Sequence, residues 1–161
     1  SVNADAEADK IKGAEAGKKV EVKIEGNTVP AAYVQAALSS KATVVVDYGA
    51  YAWEISDVTE AKAVDLSINT DAKHLVNQNE LKDLKGDSSN VIDIKHNGKL
   101  GFKGTLKYNV KKENAGKFVN LYFYNTTTSK QASLNFREAQ RLTKRDLYIF
   151  LSHTAQLMFS T

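Results

Sequence analysis

The sequence predicts a mainly β fold, antiparallel and sandwich-like, with one or two short helices; an α+β arrangement is the alternative. Three observations predict it. Apolar and polar side chains alternate with period two over residues 20–25, 51–55 and 100–110. The run Thr43-Val44-Val45-Val46 is rich in β-branched residues, which suit a pleated, half-buried surface. Reversal signals separate these runs, chiefly Gly49 and the pair Asn97-Gly98.

In chain order, residues 1–18 are small and charged with no apolar period, and read as a linker or frayed lead-in. Residues 19–161 then read as a single β-rich module. Val20, Val22 and Ile24 alternate with Glu21, Lys23 and Glu25, the pattern of a half-buried strand ended by Gly26-Asn27. Thr28-Val29-Pro30 opens a helix that runs to Ser39-Ser40, with Pro30 suited to a first turn whose N–H groups have no helical partner. Its apolar side predicts packing on a sheet. Tyr51, Trp53 and Ile55 share one face of the strand after Gly49. Val64, Leu66 and Ile68 predict another strand, and residues 79–86 a short helix between an Asn79 cap and Gly86.

In the second half, residues 91–95 predict a strand that turns back at Asn97-Gly98 into a long partner. That partner puts Leu100, Phe102, Gly104, Leu106, Tyr108 and Val110 on one side, with Lys99, Lys103 and Lys107 on the other. Residues 118–124 are apolar on both faces, as in a central strand. Residues 132–136 and 147–151 predict a further hairpin, and 157–159 a last short strand.

Composition narrows the function. There is no cysteine, which excludes disulfides, thiolate zinc sites and cysteine nucleophiles. No run approaches the roughly 18–20 apolar residues of a membrane span, so no membrane insertion is expected. Net charge is +3, but uneven: residues 1–90 hold 10 Lys/Arg against 15 Asp/Glu, residues 91–161 hold 12 against 4. A basic half can attract polyanions or simply face water. His74, His96 and His153 lack metal-ligand spacing, so neither metal nor cofactor is expected. The glycines of residues 98–104 lie within a predicted hairpin and do not open a helix, unlike a dinucleotide fingerprint. Asp47 and Glu54 face each other across a predicted hairpin, but a carboxylate pair alone does not make a hydrolase.

Two groups remain as candidate binding residues. Tyr48, Tyr51, Trp53, Tyr122 and Tyr124 offer flat rings of the kind that stack on sugars, although strand spacing also makes Trp53 and Tyr108 core candidates. Lys99, Lys103 and Lys107 form a stripe that could face an anionic polymer, or keep a sheet soluble.

Three segments carry a resemblance: Tyr51-Ala52-Trp53-Glu54-Ile55; Lys99-Leu100-Gly101-Phe102-Lys103-Gly104-Thr105-Leu106; and residues 114–125, beginning Asn114-Ala115-Gly116-Lys117. They resemble a β-rich domain that recurs in secreted, multi-modular proteins of Gram-positive anaerobes, beside cell-wall-anchoring, adhesin-like and cellulosome-type modules. The similarity spans about residues 20–161 and is most specific over 112–125. It departs from the family pattern near the end, where Thr143-Lys144-Arg145-Asp146 replaces an Asp-Gly turn and no tyrosine follows Ser152-His153-Thr154-Ala155. The resemblance implies an extracellular or surface-attached location, with neighbouring modules as partners and no catalytic residues.

The expectation is a non-catalytic structural, spacer or adhesive module. The first alternative is a carbohydrate-binding module for cell-wall or plant polysaccharide, working through the Tyr/Trp set. The second is a polyanion binder using the basic C-terminal half, residues 95–145, with Lys99, Lys103 and Lys107 as its candidate residues, for which nucleic acid is not the expected partner.

Overall fold

The structure is a computed structural model. It describes residues 1–72, 74, 79, 90–96, 98–109, 118–125, 130–132, 140–141, 146–153 and 156–160, with backbone alone for 90, 109 and the strands from 118 onward. The elements are α1 (Ala4–Lys12), β1 (Lys19–Val22), β2 (Thr28–Val29), α2 (Ala31–Ser40), β3 (Thr43–Asp47), β4 (Tyr51–Ser56), β5 (Val64–Asp65), β6 (Ile68–Asn69), β7 (Asn90–Ile94), β8 (Lys99–Asn109), β9 (Phe118–Asn125), β10 (Lys130–Ala132), β11 (Gln140–Arg141), β12 (Asp146–His153) and β13 (Gln156–Ser160). The fold is mainly β and dominated by antiparallel pairs, with a few short helices.

The chain gathers into two compact units, each built from three separated stretches. The first holds residues 1–67, 98–109 and 147–154. Its five-stranded sheet runs β1-β3-β4-β8-β12. The pair β1–β3 is parallel and the pairs β3–β4 and β4–β8 are antiparallel. A parallel pair needs a crossover, and α2 lies between β1 and β3 in the chain. Val22, Val44, Val46, Trp53, Ile55, Leu100 and Leu106 are buried in this unit, together with Tyr33, Val34, Ala36 and Ala37 of α2. The predicted helix is therefore present and buries its apolar side; Pro30 stands at the N-cap, with its C=O accepting the Tyr33 N–H at 3.0 Å.

The second unit holds residues 68–97, 110–146 and 155–161. Its sheet runs β10-β9-β13-β7-β6, with β11 also paired to β9. The predicted last strand, β13, pairs on both sides, with β9 and with β7. The predicted helix at 79–86 lies outside the described residues apart from Asn79, which is helical.

Four expectations are corrected. First, the lead-in is not an unstructured linker: α1 is helical, and Ile11 is fully buried with Ala8 and Glu7. The ends of the segment explain the helix. Asn3 Oδ1 accepts the Ala6 N–H at 3.1 Å, Asp5 and Glu7 occupy the first turn, and Lys10 and Lys12 the last. Each group complements an unsatisfied helix end and the helix dipole. Asn3→Ala is expected to cost about 1 kcal/mol, by loss of the cap, read as faster amide exchange across α1.

Second, Asn97-Gly98 does not close a hairpin. β7 pairs with β13 and β6, whereas β8 pairs with β4 and β12, so the chain changes sheets there. Gly98 does have the positive φ of such a turn, +91°. Third, residues from the predicted 132–136 and 147–151 hairpin go to different sheets: β10 pairs with β9, and β12 lies beside β8. Residues 133–136 lie outside the described set. Fourth, the strand predicted through Val64, Leu66 and Ile68 is cut in two. Asp65 Oδ1 accepts both the Ser67 N–H (2.9 Å) and the Ser67 hydroxyl (2.5 Å), which turns the chain between β5 and β6.

Candidate functional site

The aromatic candidates separate by position along β4. Trp53 is fully buried, and its indole N–H donates to the Leu66 carbonyl at 2.7 Å. It is a core residue with its one polar atom satisfied, and is removed from the candidate sugar platform. Its cross-strand partner is Leu106, and Ile55 stands opposite Gly104. A Cβ on Gly104 would lie 3.1 Å from Trp53 Cζ3 and 3.2 Å from Leu100 Cδ1. The glycine thus leaves room for the indole.

Tyr51, two residues before Trp53, shares its face but lies at the end of the strand and is half-exposed. The Tyr48 ring stacks on it, centroids 5.1 Å apart and planes 11° from parallel. The turn beneath them is closed by two bonds: Asp47 Oδ1 accepts the Gly49 N–H at 2.7 Å, and the Tyr51 carbonyl accepts the Tyr48 N–H at 2.9 Å. The Tyr48 hydroxyl donates to the Asn27 carbonyl at 2.8 Å. Burial pushes the Tyr48 phenol well above the usual tyrosine range.

Directly across from Tyr51 stands Tyr108 of β8, also half-exposed, with its phenol raised by burial. Sequence alternation makes Tyr108 a core candidate; the β4–β8 register places it across from Tyr51, whose ring stacks with Tyr48. Tyr122 and Tyr124 belong to β9 in the other sheet, and their side chains lie outside the described residues. The five aromatic candidates therefore do not meet on one sheet.

The lysine stripe stands among acids. Register places Lys103 opposite Ser56, Thr105 opposite Glu54, and Lys107 opposite Ala52. The same face of the sheet carries Asp47, paired to Ala52, and Glu21, paired to Val45. Lys19 of β1 reaches diagonally to Glu54, Nζ to Oε1 at 2.8 Å. Lys99 and Lys103 are exposed and Lys107 is half-buried. A mixed-sign face attracts a uniform polyanion less than the sequence stripe implies. Asp47 and Glu54 share this face, but Glu54 is engaged by Lys19 and Asp47 by the Gly49 N–H.

The segment Gly101-Phe102-Lys103-Gly104, within one of the three segments that carry the resemblance, has a structural part. Gly101 adopts φ +77°. Its carbonyl accepts the Thr59 N–H (2.8 Å), the Glu60 N–H (3.1 Å) and the Thr59 hydroxyl (3.1 Å). A Cβ there would stand 2.9 Å from Glu60 Cβ. One glycine seats the 59–60 loop; the other seats Trp53.

His74 is exposed and His96 half-exposed. Among the described residues no group of three or more His, Cys, Asp or Glu side chains is placed to hold a metal, and no helix is long and apolar enough to cross a membrane. The buried polar group that sequence reasoning passed over is Glu7, whose carboxylate bonds to Lys10 and to the backbone at Lys23. Its sign in the sequence was an acid in the first turn of a capped segment. The chain matches no known protein family, no curated protein and no solved structure.

Proposed function

We propose that this chain is a non-catalytic accessory module of a larger extracellular or surface-attached protein, with a structural, spacer or adhesive role and neighbouring modules as its partners. The observation that carries this reading is the employment of three resembling residues among those described. Trp53, Gly101 and Gly104 build the core and its bordering loop and present no chemistry to solvent. The resemblance itself supplies location and company.

A second reading, a carbohydrate-binding module, is favoured by one feature. Tyr48 and Tyr51 stack, Tyr108 stands across from Tyr51, and all three are half-exposed. Rings in such a position offer apolar area and hydroxyl edges to a sugar. A polyanion-binding role through Lys99, Lys103 and Lys107 has the weaker support, because acids share the face of Lys103 and Lys107.

The test is a screen of soluble glycans and cell-wall polymers at low and moderate salt, using the full chain and Tyr51→Ala. The accessory reading expects no turnover and, in its structural or spacer form, no retention. Retention that survives salt, and falls at least tenfold in Tyr51→Ala with an unchanged melting transition, establishes the second reading in its place. Retention that collapses as salt rises identifies the lysine face, because counterion release makes such binding steeply salt-dependent.

A further inference from the structure

Two helices grip the backbone of one residue, Lys23. Lys23 follows β1, the edge strand of the five-stranded sheet. The Lys18 carbonyl accepts the Thr43 N–H at 2.8 Å, so alternate residues of β1 bond to β3. Continuing that alternation, Lys23 turns its own N–H and C=O to the open edge. Such groups need either water or a partner. Here Glu7 Oε2 of α1 accepts the Lys23 N–H at 3.0 Å, and the Tyr33 hydroxyl of α2 donates to the Lys23 carbonyl at 2.8 Å. Glu7 Oε1 is held by Lys10 Nζ at 2.6 Å. Apart from Glu7, α1 buries only Ala8 and Ile11. A nine-residue helix with two buried apolar side chains depends heavily on its one polar anchor.

We propose that α1 is an acid-released latch: ionised Glu7 fastens the helix to the end of β1, and protonation of Glu7 frees α1 while the rest of the unit stays folded. The groups facing Glu7 are Lys10 of its own helix, Lys23 beyond β1 and Tyr33 of α2. Protonation removes the charge that attracts Lys10 and turns a charge-assisted acceptor into a weaker neutral one.

The sign follows from those contacts. The hydrogen bond from Lys10, then that from the Lys23 N–H, hold the Glu7 carboxyl below the ordinary glutamate range. The latch is therefore fully fastened above that range and opens as pH falls through the lowered value. Burial, and then the charge of Glu7, raise the Tyr33 phenol, which remains a donor across the same interval. Release frees residues 1–16, up to the Gly17 N–H that stays bonded to the Lys41 carbonyl, a segment that spans at most roughly 55 Å when extended. The inference stands independently of the accessory-module reading.

The experiment is amide hydrogen exchange on the full chain from pH 7 to pH 3, corrected for intrinsic rates, with the Trp53 indole N–H as the internal reference for the core. Protection of the α1 amides is expected to fall about tenfold or more below the ordinary glutamate range, the size of effect given by a hydrogen bond to a charged group, while the indole stays protected. Glu7→Gln is expected to show the weakened protection already at pH 7, with no further pH response in α1. Lys10→Gln keeps the carboxylate and is expected to move the midpoint to higher pH. Protection of α1 that is flat across the range overturns the latch. So does loss of α1 protection only together with the indole, which is global acid unfolding.

Discussion

Trp53→Ala is expected to destabilise the first unit by about 3–5 kcal/mol, the range for emptying a buried aromatic site. The residue is fully buried, and its ring edge lies against Gly104. Since whole domains are stable by only about 5–15 kcal/mol, much of the native population is at risk. Trp53→Phe separates the two parts of the effect. It retains most of the apolar contact but leaves the buried Leu66 carbonyl without the indole donor, at a cost of about 1–3 kcal/mol. Urea unfolding followed by far-ultraviolet circular dichroism reads both variants without needing the only tryptophan as the probe. A Trp53→Ala midpoint within error of the wild type would show that the indole is not the keystone of this core. The result also governs how binding is tested. A glycan signal lost in Trp53→Ala reports a broken fold, and Tyr51 is the informative position.

The sequence made β3, β4 and α2 legible because their signals are local. Four consecutive β-branched or small residues, a two-residue period through Tyr51, Trp53 and Ile55, and a proline before an apolar helix each act within a few residues. The burial of Trp53 followed from that same period. What escaped was decided at a distance. Asn97-Gly98 specifies a tight reversal, and Gly98 has the positive φ this needs, but nothing in a turn states which sheet receives the next strand. Likewise β12 and β13 are separated by only two residues and join different sheets. The helix α1 escaped for another reason: a segment that buries only an alanine, an isoleucine and a paired glutamate has no apolar stripe. Its caps were visible, as Asn3 ahead of Asp5 and Glu7, with Lys10 and Lys12 before Gly13. The candidate site was legible in part. Tyr48 and Tyr51 are neighbours as their spacing implied, and the β4–β8 register places Tyr108 across from Tyr51.

Gly101→Ala is expected to cost about 2–4 kcal/mol, combining the strain of a left-handed conformation with overpacking. The two contributions can be separated because the chain supplies its own control. Gly98 also has a positive φ, +91° against +77° at Gly101, but a Cβ at Gly98 meets nothing within 4 Å. Gly98→Ala should therefore show the conformational cost alone, about 1–2 kcal/mol. At Gly101 the added methyl instead stands 2.9 Å from Glu60 Cβ and 3.1 Å from the Glu60 carbonyl. To relieve it the 59–60 loop must lift, and the Gly101 carbonyl then loses up to three donors at once. Urea midpoints for the two variants, with unchanged slopes, give the difference directly. Equal losses would mean that the loop yields freely and that Gly101 is required only for its backbone angle. A larger loss at Gly101, with faster exchange of the Thr59 and Glu60 amides, would assign this glycine of the resembling segment to loop seating. The same segment would then be a signature of folding in any chain that carries it with a loop packed on its first glycine.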